Sequence, residues 1–120
     1  MTISEVSEKY ELSADTLRYY ERIGLIPRVQ RKANGVRNYS QEDCQLIEFI
    51  KCMRSAGMPV DSLVHYFALL RQGEKTIEQR RQMLVNQQEI LLKKRQELDE
   101  TLKRLEYKIS WYDKENRDSN

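Results

Sequence analysis

Proline and glycine are scarce in this 120-residue chain, at two and four residues, and neither occurs anywhere from Glu74 to Tyr112. Helix breakers are therefore confined to the earlier part, and the stretch from Glu74 to about Tyr112 is free to run as one helix. No apolar run approaches the roughly 18 residues that a bilayer requires, and Met1-Thr2-Ile3-Ser4-Glu5 lacks the basic start and apolar core of a signal peptide. A soluble, cytoplasmic chain with no membrane partner is expected. Histidine occurs once, as His65, with no catalytic-type motif around it, and there is no glycine-rich phosphate loop and no paired set of carboxylates. This excludes the common enzyme classes, and no cofactor is expected. Cysteine occurs twice, at Cys44 and Cys52. On one helix their separation is roughly 12 Å at about 1.5 Å per residue, beyond the roughly 7 Å Cα limit of a disulfide. Both thiols should be free, as a reducing cytosol allows.

What is abundant is charge, and it is unevenly placed. Between Arg18 and Arg37 stand Arg18, Arg22, Arg28, Arg31, Lys32 and Arg37 against Glu21 alone, a local excess of five in a chain whose net charge is only +2. Such concentration is the electrostatic footprint of a phosphate binder. The surrounding elements agree. Thr2 with Glu5 forms a capping box for a first helix from Ile3 to about Tyr10, with Ile3 and Val6 inward, and Glu11-Leu12 is a turn. Ser13 caps a second helix that Gly24 stops. On it Leu17, Tyr20 and Ile23 give the buried side and leave Thr16, Arg18 and Tyr19 outward. Asn34-Gly35 signals a type I′ hairpin whose arms are Arg28 to Arg31 and Val36 to Tyr39. Helix, turn, helix and basic wing together make a DNA-reading arrangement.

Ser40 with Asp43 caps a third helix running to Ala56, on which Leu46, Phe49, Ile50, Met53 and Ala56 cluster on one side. By that stripe Cys44 should be exposed and Cys52 partly buried at its margin. Pro59 suits the first turn of a fourth helix with Leu63, Tyr66, Phe67 and Leu70 inward, ending at Arg71-Gln72-Gly73. Beyond it, steps of four and three from Ile77 visit Arg81, Leu84, Gln88, Leu91, Arg95, Leu98, Leu102, Leu105, Ile109 and Tyr112. Eight of these eleven positions are apolar, which is a heptad seam. A single helix of this length has nowhere to bury that seam in its own small domain, so a partner helix is required. We take this as a homodimer seam formed by Ile77, Leu84, Leu91, Leu98, Leu102, Leu105, Ile109 and Tyr112. An antiparallel pairing sets Arg81, Gln88 and Arg95 against the apolar second half. The domain plan is 1–72 for the winged helix-turn-helix, 73–112 for the coiled-coil helix and 113–120 for a polar, frayed tail.

The run TLRYYERIGLIP, then NGVRNYS, then FIKCMRSAGM resembles the MerR family of bacterial transcription regulators, over residues 1 to about 72 continuously. The resemblance implies a mainly α, winged helix-turn-helix dimer that distorts promoter DNA in concert with RNA polymerase. On that plan Ser13, Thr16, Arg18 and Tyr19 contact a half-site, and Arg31, Lys32, Arg37 and Tyr39 in the wing grip flanking phosphates or the minor groove. Metal-sensing members carry cysteines near the start of the dimerisation helix or in a C-terminal cluster. Here Gln72 to Thr76 and Tyr107 to Asn120 contain none, so no metal site is expected. The segment around Cys52 is similar to the branch that responds to aldehydes and to nitrosative or electrophilic stress, in which a cysteine at the matching place is modified. That resemblance makes Cys52 the candidate thiol sensor. Its neighbours pull both ways: Lys51 and Arg54 raise the local potential, while Glu48 and the helix's carboxyl end oppose a thiolate. Three alternatives stay open: a regulator that senses a metabolite or protein through the end around Trp111 and Tyr112 with Cys52 as core, a DNA-located coiled-coil adaptor, and a thiol enzyme, against which the absence of a base near Cys52 argues.

Overall fold

A computed structural model describes residues 1–118, arranged as α1 (Ile3–Tyr10), α2 (Ala14–Arg22), α3 (Gln41–Ser55), α4 (Val60–Arg71), a 3₁₀ turn (Glu74–Thr76) and α5 (Ile77–Asp118). The chain divides into a compact unit, Met1–Arg80, and a second unit from Arg81 onward that consists of the rest of α5. Local chemistry sets the starts of the first three helices. The Thr2 hydroxyl accepts from the Glu5 amide while the Glu5 carboxylate accepts from the Thr2 amide, at 3.2 and 2.9 Å. These hydrogen bonds, the backbone one first, hold the Glu5 carboxyl below its ordinary range. Ser40 and Asp43 repeat the arrangement at α3, both at 3.0 Å. Ser13 Oγ accepts from the Thr16 amide at the start of α2.

The core of the first unit is made by Val6, Leu17, Leu25, Ile26, Ile47, Ile50 and Leu63, each at most 1% exposed. Burying one such side chain stabilises a fold by about 1.5–3 kcal/mol. Leu25 and Ile26 belong to no helix. They are turned inward after α2, where both amides donate to the Tyr20 carbonyl at 2.9 and 3.3 Å. The α1–α2 turn is closed by Glu11 in the left-handed region, φ 55° and ψ 42°. There a side chain is tolerated at some cost in strain.

Three expectations for this unit change. The third helix has two buried sides instead of one. Cys44, Ile47 and Ile50 are buried on a face packed toward α1, and Phe49 meets α4 through Tyr66 and Phe67, with ring centroids 5.8 and 6.1 Å away. Cys44 is therefore buried at 7% exposure, and Cys52 is exposed, the reverse of what the single stripe indicated. A wheel drawn around one stripe assigns the opposite side to solvent, and here that side meets α1. On α4 the buried set is Leu63, Phe67 and Leu69, and Leu70 is 43% exposed. Finally, no strand forms among the described residues, and the wing holds a single antiparallel bridge, Arg31 to Arg37. Its loop is not type I′. The Gly35 amide donates to the Lys32 carbonyl and the Lys32 amide to the Val36 carbonyl, both at 2.8 Å, and Gly35 (φ 85°) alone in this loop has positive φ. A three-residue loop with glycine in the left-handed position turns the chain at lower strain than placing Asn34 there too.

The long helix is described by itself. At 42 residues and about 1.5 Å per residue it is about 63 Å long. It continues through Asp113 to Asp118, where a frayed tail was expected, because Lys114, Glu115 and Arg117 are good helix formers and nothing breaks the helix. The end of that expected tail, residues 119–120, lies outside the described residues. Every side chain from Gln88 to Arg117 is exposed, seam positions included: Leu98 by 64%, Leu102 by 53%, Leu105 by 54% and Ile109 by 58%.

Candidate nucleic-acid interface

The outer side of α2 presents the residues expected to meet DNA. Ser13 is exposed and Thr16 half-buried, their hydroxyls 2.8 Å apart at the helix start. Helix amino termini carry unsatisfied amides and the positive end of the dipole, both suited to phosphate. Arg18 and Tyr19 follow on the next turn, both exposed, with Arg18 lightly held by Asp15 at 3.0 Å. At such exposure that pair contributes little and leaves the guanidinium available to a stronger anion. Arg22, one of the cations of this stretch, lies 5.4 Å from the Tyr19 ring centre and holds that ring against the helix surface.

The wing brings Arg31 and Lys32 to the surface, both exposed. Arg31 Nη1 donates to the Gly35 carbonyl at 2.7 Å and Asn34 Oδ1 accepts from the Val36 amide at 3.1 Å, so the loop is tied internally and its cations are presented on a defined backbone. Arg37 sits differently. Its Nε donates to Glu21 Oε1 at 3.0 Å, with the two side chains 22% and 13% exposed. This ion pair joins the wing to α2, so Arg37 acts in the free protein as a tie between the two DNA-facing elements. The signal was present in the sequence, since Glu21 is the one anion in the cationic stretch.

Tyr39 departs furthest from expectation. It is 2% exposed and its hydroxyl is buried without a hydrogen-bond partner. Burial raises the phenol above its ordinary range, aided by Glu21 and Asp43 and opposed by Arg37 and Arg18. The ring is a core group, not a surface contact: the Tyr39 amide donates to the Met1 carbonyl at 2.7 Å, which lays the return arm of the wing against the start of the chain and turns the ring inward.

The two thiols occupy contrasting surroundings. Cys44 is buried, with Sγ 3.8 Å from Met1 Sδ. Cys52 is exposed on α3. Lys51, next to it, is drawn toward Glu11 at 3.7 Å, and Arg54 Nη1 donates to the Met58 carbonyl at 2.9 Å, so both neighbouring cations have partners of their own. Among the described residues no group of three or more His, Cys, Asp or Glu side chains is placed to hold a metal, and no helix is long and apolar enough to cross a membrane.

With this geometry in place, comparisons with known proteins are informative. The profile described as MerR HTH family regulatory protein matches residues 1–70. The chain is similar to the HTH-type transcriptional regulator AdhR of Bacillus subtilis, 48% identical over 92 residues that cover 77% of this chain and 66% of that protein, so a little under two thirds of the relative is spanned. Among solved structures it resembles a MerR-family transcriptional regulator from Listeria monocytogenes at a TM-score of 0.85 and 46% identity, covering 94% of this chain and 86% of that one. It also resembles HiNmlR, described as a MerR family regulator lacking the sensor domain and bound to promoter DNA. That match has a TM-score of 0.87 and 32% identity, covering 93% and 85% of the two chains.

Proposed function

This chain belongs to the MerR family of helix-turn-helix regulatory proteins, and from that premise we propose that it is a homodimeric, cytoplasmic transcription regulator that distorts promoter DNA and responds to aldehydes or other electrophiles through Cys52. The observation that carries the DNA-binding part is the joined surface of α2 and wing. Ser13, Thr16, Arg18 and Tyr19 are presented on the one, Arg31 and Lys32 on the other, and the Arg37–Glu21 pair fixes their mutual position. The amino-terminal turn of α2 enters the major groove, and the wing cations meet the adjacent backbone. The domain plan is a DNA-reading part over 1–72 and a pairing helix from 73 on, with two copies joined through the seam from Ile77 to Tyr112.

Joining two DNA-reading units on one rigid pair of helices fixes their separation. A duplex whose half-sites do not match that separation must bend or untwist to engage both, at a cost on the order of 1–6 kcal/mol for 20–30 base pairs. RNA polymerase then meets promoter elements whose phasing depends on dimer geometry, and a small change in that geometry switches transcription. Cys52 is placed to make such a change. It is open to reagents on α3, three residues after Phe49, whose ring stacks on Tyr66 of α4. An adduct there adds bulk or changes polarity one turn from the α3–α4 ring contact, which is how modification would bias the packing of the two helices. The name of the Bacillus subtilis relative, a transcriptional regulator, agrees with the regulatory role.

The test is transcription from the protein's own promoter, with and without aldehyde. Cys52→Ser should keep DNA affinity within about twofold, as expected of a surface substitution away from the contacts, and abolish induction, while Cys44→Ser retains induction. Full induction in Cys52→Ser overturns the thiol reading and favours a ligand or protein partner at the Trp111–Tyr112 end, where both rings are exposed.

A further inference from the structure

We propose that the buried hydroxyl of Tyr39 is a positioning group for DNA binding, which takes over the Glu21 carboxylate when Arg37 leaves it for a backbone phosphate. The proposal rests on the reading of the α2–wing surface as a DNA interface and assigns to that surface a residue that touches no DNA itself.

Two acceptors compete for Arg37. In the free protein its Nε donates to Glu21 Oε1 at 3.0 Å, and on the wing it stands among the cations suited to phosphate. The Arg37 side chain is 22% exposed, enough for its guanidinium to be reached from solvent, whereas that of Glu21 is 13% exposed. A carboxylate so far withdrawn from water keeps its charge only while a donor faces it. Moving the guanidinium to a phosphate therefore strands Glu21 unless a second donor is at hand.

Tyr39 is that donor. It follows Arg37 by two positions on an arm kept extended by the Asn38 amide, which donates to the Gln30 carbonyl at 2.7 Å. Side chains two apart on an extended chain share a side. The side of Arg37 faces Glu21 of α2, and Tyr39 shares it. After burial itself, the groups that act most strongly on the phenol are Arg37 and Glu21, the two members of the ion pair. Among the described residues the Tyr39 hydroxyl has no hydrogen-bond partner, although the residue is 2% exposed. A buried hydroxyl left unpaired is costly and uncommon in native folds, and a second state in which it is satisfied accounts for its retention. Arg18, three residues before Glu21, lies instead against Asp15 at 3.0 Å. A phenol is also a neutral donor, so it satisfies the carboxylate without adding positive charge and frees the guanidinium for the duplex.

Tyr39→Phe removes the hydroxyl and keeps the ring. Affinity for a duplex from the protein's own promoter is measured at several salt concentrations for wild type, Tyr39→Phe, Arg37→Ala and the double variant, with urea unfolding of each free protein. In Tyr39→Phe the guanidinium stays with Glu21, so affinity should fall about tenfold, as for a lost hydrogen bond to a charged group. The slope of log affinity against log salt should fall by about 0.9 per half-site, although no charge has been removed. The free variant should be at least as stable as wild type, because an unpaired buried hydroxyl is gone. Arg37→Ala should show the same lowered slope, and adding Tyr39→Phe to it should change nothing further. An unchanged slope in Tyr39→Phe overturns the proposal, whether or not the free protein loses stability, and so does a loss of affinity that persists in full on the Arg37→Ala background. A wild type whose binding to the duplex does not depend on salt overturns the DNA-interface reading as well.

Discussion

Leucines of the first unit and leucines of α5 are the same residue in opposite surroundings. Leu17, Leu25 and Leu63 are at most 1% exposed inside a unit that closes on itself, whereas Leu98, Leu102 and Leu105 stand 53–64% exposed along the second half of α5. The difference shows that secondary structure and burial are separate achievements. Alternating four- and three-residue spacing is enough to put the α5 leucines on one stripe, but only a second helix can remove that stripe from water. On the proposed function, the region complete in itself supplies recognition and the incomplete one supplies assembly.

Breaking the incomplete region should have the largest effect. Leu98→Glu with Leu102→Glu places charge in the seam, so sedimentation should report a monomer, and operator affinity should fall by about 10²–10⁴ as the tethered second half-site is lost. A double variant that stays dimeric at micromolar concentration would remove the basis of the comparison. Within the complete region, Leu17→Ala should cost about 2–5 kcal/mol in urea unfolding through the cavity it leaves, at any protein concentration. Leu98→Ala sharpens the contrast, because its cost should depend on protein concentration.

Smaller effects separate residues inside the DNA-facing surface. Arg18→Ala should lower the slope of log affinity against log salt by about 0.9, the signature of one phosphate contact. Arg37→Ala acts first on the protein. A double-mutant cycle with Glu21→Gln should give a coupling of about 1 kcal/mol for this half-buried pair. Zero coupling would mean that the tie between α2 and the wing has no energetic role. The smallest effect is at the first capping box. Glu5 has a carboxyl held below its ordinary range, so its contribution is present above the unfolded value and is lost as pH falls through the lowered one. The melting temperature of Glu5→Gln should therefore lie slightly below wild type at neutral pH, and the gap should close in acid.

Much of this was legible in the residues. The capping pairs Thr2–Glu5 and Ser40–Asp43, the Ser13 cap and the stop at Gly24 are local signals, and each is a matter of neighbours within four positions. The unbroken run of α5 was legible for the same reason, since no proline or glycine interrupts it. The errors lie where distant elements decide. A single apolar stripe on α3 points Cys44 to solvent, but α1 covers the other side of that helix. Tyr39 was assigned to DNA because it follows the cations of the wing, but its backbone pairs with Met1, thirty-eight positions away, and carries the ring inside. Arg37 was counted as a free cation, and its partnership with Glu21 spans sixteen positions. Asn34-Gly35 located the wing's turn correctly and misassigned its type, since the choice between a two- and a three-residue loop rests on which strand residues pair.

The central claim is that two copies joined through α5 present two α2–wing surfaces to one duplex. Sedimentation velocity of the full chain with a labelled duplex from its own promoter tests it directly, by counting chains per duplex as protein is added. The account predicts a single complex of two chains per duplex with no one-chain species at saturation, and a complex that saturates at one chain per duplex would contradict it.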